Sequence, residues 1–188
     1  MVRLTGAEMS KHPEIESCNP LALCAALGIS VEAVEARGLR LYSAAERLAV
    51  ADRDHKGRAF LMTPAAGRAW QAMKAAAAAD GIEIYLISAY RSVERQAEII
   101  RAKLDAGAEI ADILSVLAPP GYSEHHTGRA VDLTCPDAPA VQQGFELTPA
   151  FAWLQLNANR FGFVMSYPPG NASGYRYEPW HWCYQDVS

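Results

Sequence analysis

The alternation of apolar and polar positions divides the chain into a helix-leaning first third and a later part that mixes helices with short strands. In the first part, Ser30 caps a predicted helix over Val31 to Arg37, with Gly38 as its stop. Ser43 caps a second over Ala44 to Asp52, and the charged run Asp52-Arg53-Asp54-His55-Lys56-Gly57 then reads as a turn and a boundary. Thr63-Pro64 and Gly81 bracket an alanine-rich helix over 64–80. Ile82 to Ser88 reads as a strand. Ser92, with Glu94 in the first turn, opens a helix whose Val93, Ala97, Ile100 and Leu104 share one face. Pro119-Pro120-Gly121 breaks the chain into a loop, and Arg129 to Thr134 follows as a strand. Thr148-Pro149 repeats the cap-plus-proline signal for a helix ending near Gly162. A short strand over Phe163 to Ser166, a loop from Tyr167 to Tyr175 and an aromatic strand over Trp180 to Tyr184 complete the chain. Separate helices and short strands make the fold class α+β.

A length of 188 residues suits one domain with an extension, and the pattern divides it into a helical N-terminal extension over 1–59 and a main unit over 60–188. The composition, 51% hydrophobic and 20% charged, supplies a core and excludes a disordered tail protein. Seventeen basic against 21 acidic residues give a net charge of −4, which argues against a non-specific nucleic-acid binder. No apolar run approaches the ~20 residues that cross a bilayer. The longest, Leu21 to Ile29, follows Glu8, Glu14 and Glu16 rather than a basic stretch, so no secretory leader is read there. Leu23 likewise removes a lipoprotein reading of Leu21-Ala22-Leu23-Cys24. Cys18, Cys24, Cys135 and Cys183 permit three full pairings, but a chain of this length needs no staples, so free thiols are expected.

Chemistry concentrates in three clusters. Of the five histidines, His12 and His55 lie in polar segments and read as surface residues. The first cluster is Ser123-Glu124-His125-His126-Thr127-Gly128-Arg129-Ala130-Val131-Asp132. Gly128 gives the turn that lets a loop histidine and a strand aspartate face one ion, and both side chains suit zinc. The second is Glu178-Pro179-Trp180-His181-Trp182. A glutamate beside a further metal ligand can take a proton from water and deliver it to a leaving amine. The third is Ser88-Ala89-Tyr90-Arg91-Ser92, where Arg91 at the end of a strand can bind a carboxylate or a developing oxyanion. Each cluster alone also fits a plain surface or core reading.

In this order the clusters resemble the VanY-type D-alanyl-D-alanine carboxypeptidases, in the zinc peptidase group that includes lysostaphin and the hedgehog amino-terminal domain. The family's Ser-x-His-x-x-Gly-x-Ala-x-Asp stands complete at 123–132, its Glu-x-Trp-His at 178–181, and its Ser-x-Tyr-Arg-Ser at 88–92 with Gln96 following. The likeness covers residues 60–185 and leaves the first sixty uncovered. It implies a small central antiparallel sheet carrying a zinc site and flanked by helices. By resemblance, His125, Asp132 and His181 are the Zn2+ ligands, and Glu178 is the general base and then acid. Arg91 stabilises the oxyanion or holds a substrate carboxylate, while Ser123 and Gln96 bind substrate. His126 lies off the ligand position, and Trp180 and Trp182 wall the site. Many relatives carry a basic residue where this chain has Cys183, for which a core role is expected; strand parity disfavours a Cys135–Cys183 bond.

The implied activity is hydrolysis of the terminal D-Ala-D-Ala bond of peptidoglycan stem peptides by a monomer. The alternatives on the same centre are an L-alanyl-D-glutamate endopeptidase, an LD-carboxypeptidase, and a zinc-stabilised binding module without catalysis. The substrate implies the cell envelope or periplasm, while the lack of a readable leader leaves a cytoplasmic or phage-encoded protein open.

Overall fold

A computed structural model describes residues 19–136, 138 and 143–185. His12 and Cys18 lie outside the described residues. The expected helix caps form. Ser30 Oγ accepts from Ala33 N–H to start α2 (Val31–Ala36), which follows α1 (Pro20–Ala26). Thr63 Oγ1 accepts from Ala66 N–H at the head of α3 (Pro64–Ala79), and Ser92 Oγ from Arg95 N–H at the head of α4 (Val93–Asp105). Each cap satisfies a backbone donor that the first helical turn leaves unpaired.

The helix expected over Ala44 to Asp52 does not form. Residues Ala49–Arg53 are strand β1, paired antiparallel with β2 (Ala59–Met62). The charged run between them is the hairpin turn, in which the Asp54 carboxylate accepts from the backbone N–H groups of Lys56 and Arg58. The hairpin therefore carries the chain across residues 59 and 60. Tertiary contacts override the local helical pattern here: Asp52 accepts from Trp70 Nε1–H at 3.0 Å and from Lys74 Nζ at 2.6 Å, both on α3.

A second sheet has four antiparallel strands in the order β3 (Tyr85–Ser88), β4 (Ala130–Thr134), β6 (His181–Tyr184), β5 (Phe163–Met165). Its register aligns Asp132 with Ser88 on one side and His181 on the other. Three residues far apart in sequence thus stand abreast on neighbouring strands. Two further helices are α5 (Ile110–Leu114), which the hydrophobic pattern does not announce, and α6 (Pro149–Asn157). The helix expected to reach Gly162 changes after Asn157 to a 3-10 turn over Ala158–Phe161. None of the described helices is long and apolar enough to cross a membrane.

The buried apolar residues form two cores. One joins the sheets to α3 and α6 around Trp70, Met73, Leu133, Leu154 and Phe163. The other joins α1 and α2 to α4 and α5 around Leu27, Val34, Ile100 and Ile113, with Tyr122 and Tyr175. The loop at 119–123 passes against α1 and adds Tyr122 to the second core. Gly121 has φ +87°, and a Cβ there would sit 2.5 Å from Pro20 Cβ and 2.9 Å from Leu41 Cδ1. Glycine is required both by the backbone and by the close approach.

Gly121→Ala is therefore expected to destabilise the protein by about 2 kcal/mol or more, through overpacking and a strained φ. Denaturant unfolding checks this: the midpoint should fall with the slope unchanged. A midpoint within error of the parent would mean that Pro20 does not hold this position.

Candidate active site

His125 sits on a 3-10 turn, Glu124–Thr127, whose start is capped by Ser123 Oγ accepting from His125 N–H at 3.3 Å. Gly128 ends the turn at φ +65°, and a Cβ there would lie 2.8 Å from Leu48 Cδ2 and 3.2 Å from Thr63 N. The chain turns there into β4, which carries Asp132. The register with β6 then adds His181.

His125 Nε2 lies 3.3 Å from Asp132 Oδ2, and His181 Nδ1 lies 3.0 Å from Asp132 Oδ1. One donor atom from each of the three residues falls within 4.8 Å of the other two, and all three residues are buried. The ring orientations are fixed from behind. His125 Nδ1–H donates to the Ala89 carbonyl at 2.6 Å, leaving Nε2 for the cluster. His181 Nε2 meets Glu124 Oε2 at 3.0 Å, leaving Nδ1 for the cluster. Burial keeps His125 below its ordinary pKa, against the opposing pull of Asp132. Burial opposes the Asp132 charge, but His125 and His181 outweigh it and hold the carboxyl far below the usual range. Burial would likewise lower His181, yet Asp132 and Glu124 raise it to about 10. Two imidazoles and one carboxylate that converge in this way form a donor set that suits zinc.

The cluster opens into a cleft of about 600 Å³ whose walls include Glu178, Arg91, Ser123, Tyr167 and Trp180. Glu178 Oε2 stands 4.0 Å from His181 Nδ1, and its backbone N–H donates to the Tyr167 carbonyl at 3.1 Å. Burial, with the Asp132 charge adding to it, pushes the Glu178 carboxyl up to about 7 against the pull of His181 and Arg91. Arg91 is clamped: Nη1 donates to Gln96 Oε1 at 3.0 Å and Nη2 to Ser88 Oγ at 3.1 Å. Its Nη2 lies 4.0 Å from Asp132 Oδ2.

The structure brings His125, Asp132, His181, Glu178, Arg91, Ser123 and Gln96 to one cleft. Gln96 is fully buried beneath Arg91, and its Nε2 donates to the Ala118 carbonyl at 2.6 Å. Each end of that amide thus has a protein partner. His126 is also fully buried, with Nδ1–H on the Arg91 carbonyl at 2.7 Å and Nε2 accepting from Gly121 N–H at 3.1 Å. His55 is exposed. Trp180 walls the cleft, whereas Trp182 packs in the first core. Cys183 is buried, its thiol pushed up to about 12 by burial and then by Glu124. Cys24, Cys135 and Cys183 are free thiols.

Sequence reasoning missed Glu124, Ser166 and Tyr167. Ser166 Oγ donates to Glu124 Oε2 at 2.5 Å, and the Tyr167 ring lies 4.7 Å from that of His181. Burial opposes ionisation of Glu124, but the His181 and Ser166 hydrogen bonds hold its carboxyl below the ordinary value. Glu124 stands beside the candidate ligand His125 in a loop that itself resembles the family's, but neither signal points to His181 or Ser166 as its partners.

A family model, VanY: D-alanyl-D-alanine carboxypeptidase, matches residues 59–187. The D-alanyl-D-alanine carboxypeptidase of Enterococcus faecalis is 37% identical over 122 residues, which are 60% of this chain and 44% of that protein. The chain thus spans less than half the length of that relative. Among solved structures, the LdcB LD-carboxypeptidase superposes with TM-score 0.68 at 29% identity, covering 77% of this chain and 71% of the other. The vancomycin-resistance D,D-pentapeptidase VanY, from a VanB-type cassette and in complex with Zn(II), gives TM-score 0.58 at 28% identity. That match covers 77% of this chain and 80% of the other.

Replacing His126 with alanine leaves two buried backbone groups unpaired, at about 1–3 kcal/mol each. His126→Ala is expected to lower stability by that order, read as a fall in thermal midpoint. An unchanged midpoint would show that water replaces the ring at no cost.

Proposed function

The chain belongs to the VanY D-alanyl-D-alanine carboxypeptidase family, and from that premise we propose that it is a zinc peptidase releasing the terminal D-alanine of peptidoglycan stem peptides. The observation that carries the reading is the convergence of His125, Asp132 and His181 at the floor of a cleft that also holds Glu178. In this reading the catalytic unit is residues 60–188, preceded by an extension over 1–59, and it acts as a monomer in the cell envelope, where its substrate lies.

His125, Asp132 and His181 would hold the zinc. When bound, the ion supplies Lewis acidity, polarising the scissile carbonyl and lowering the pKa of water toward ~7. The chain's own groups do the rest. Glu178, as carboxylate, takes a proton from the attacking water and gives it to the departing D-alanine nitrogen, so it ends each cycle unprotonated. Its partly desolvated position suits both halves of that transfer. Arg91, fixed by Ser88 and Gln96, presents a planar cation to the terminal carboxylate of the substrate or to the oxyanion. Gln96 contributes by orienting Arg91. Ser123 lines the cleft at the cap of the His125 turn and would offer the peptide a further polar contact, with Gln96 beside Arg91 in the same wall.

The likeness to LdcB supports a second reading, an LD-carboxypeptidase that takes the last residue of a tetrapeptide instead. The two readings share the metal, Glu178 and Arg91, and differ in the peptide that the cleft accepts.

Incubation with a muramyl pentapeptide ending in D-Ala-D-Ala, and separately with the tetrapeptide, separates them by mass spectrometry. Loss of one D-alanine from the pentapeptide, abolished by a chelator and restored by zinc, is the expected result. Cleavage of the tetrapeptide alone would favour the LD reading, and no chelator-sensitive cleavage of either would overturn both. Glu178→Ala should keep zinc at parent stoichiometry and lose about 10²–10⁴-fold in kcat. Retained turnover in that variant would sink the proton-transfer role.

A further inference from the structure

Glu124 was not among the residues that the motif chemistry selects, yet both of its carboxylate oxygens have assigned contacts. Oε2 takes the His181 Nε2–H at 3.0 Å and the Ser166 hydroxyl at 2.5 Å. Oε1 faces the Tyr42 hydroxyl at 3.4 Å, a long contact. The Glu124 side chain is only 13% exposed. A carboxylate in such a place costs free energy unless its partners compensate it, so its position is not that of a solvated loop acid. Its main partner is the ring nitrogen of His181 that faces away from the cluster. An imidazole offers one nitrogen to a metal only if the other carries the proton, and a carboxylate on that second nitrogen fixes the tautomer, the ring plane and the basicity.

Tyr42 comes from the segment ahead of the region matched by the family model. That segment is fastened to the metal-site loop by two backbone hydrogen bonds, Tyr42 N–H to the Gly121 carbonyl and Ala45 N–H to the His126 carbonyl, both at 2.8 Å. Ser166 follows β5 on the other flank. Glu124 is thus gripped from two separate parts of the chain.

We propose that Glu124 is a positioning residue for the metal centre: it orients His181 from behind, Ser166 holds it in place, and Tyr42 supplies a weaker third contact. The inference rests on the zinc reading of the site and adds a residue to it. Its test is zinc affinity, measured on the full chain by competition with a chromophoric chelator.

Glu124→Ala should weaken zinc binding about 10–100-fold. Glu124→Gln should fall between that variant and the parent, because its amide oxygen can still accept the Nε2–H. Ser166→Ala should cost a few-fold, and Tyr42→Phe less. With Co2+ in place of zinc, the visible bands of Glu124→Ala should shift relative to the parent, as a change in ligand orientation requires. A purely structural role would lower the melting point of Glu124→Ala while leaving the zinc affinity and the Co2+ spectrum of the folded variant unchanged, and that result overturns the proposal. If Glu124→Ala fails to fold, Glu124→Gln and Ser166→Ala decide: weaker zinc binding in both supports the proposal, and parent affinity in both overturns it. A parent protein that binds no zinc would instead overturn the metal reading itself, and this inference with it.

Discussion

Asp132 is a carboxylate withdrawn from water, and the site is arranged around that charge. In an apolar interior an isolated carboxylate would take up a proton. Here two imidazoles approach its two oxygens, and the clamped guanidinium of Arg91 stands 4.0 Å off. The sheet makes this possible. Its register sets Ser88, Asp132 and His181 abreast, so that the strand carrying the aspartate is flanked on one side by the arginine's anchor and on the other by the second imidazole. A slip of one residue in either ladder would turn Asp132 or His181 to the opposite face and dissolve the cluster.

The remaining imidazole arrives on a loop, and the loop is tied down on either side of it. His126 links Gly121 to Arg91 through its two ring nitrogens, while Gly128 meets Leu48 and Thr63. Between these points the turn carrying His125 has little freedom. The turn is therefore fixed from both sides, as a site built from converging side chains requires.

Much of this was legible in the sequence where the physics is local. Thr63, Ser92 and Thr148 cap helices that begin within a residue of them, because the cap is a contact between near neighbours. That His125, Asp132, His181 and Glu178 belong together was legible because their spacing is characteristic of a family, and the structure gathers them in one cleft. The segment after Ser43 was misread as helix because its fate depends on Trp70 and Lys74, whose hold on Asp52 no local pattern encodes. Helix α5 has five residues and no side-chain cap, so it left no signal. Gln96 lines the cleft for which it was read as a substrate contact, but its hold on Arg91 follows only from the way α4 packs against the loop at 118. Glu124 escaped for a related reason: its partners His181 and Ser166 stand 57 and 42 residues away.

The two backbone bonds from Tyr42 and Ala45 to the metal-site loop have an evolutionary side. They use main-chain amides, which every residue except proline possesses, so the support can persist while the side chains of this segment drift. The region matched by the family model starts at residue 59, yet part of the brace for its metal-site loop lies before it. Related enzymes can thus share a brace at this place that leaves no motif behind, and the border drawn by sequence likeness need not coincide with the border of the working machine.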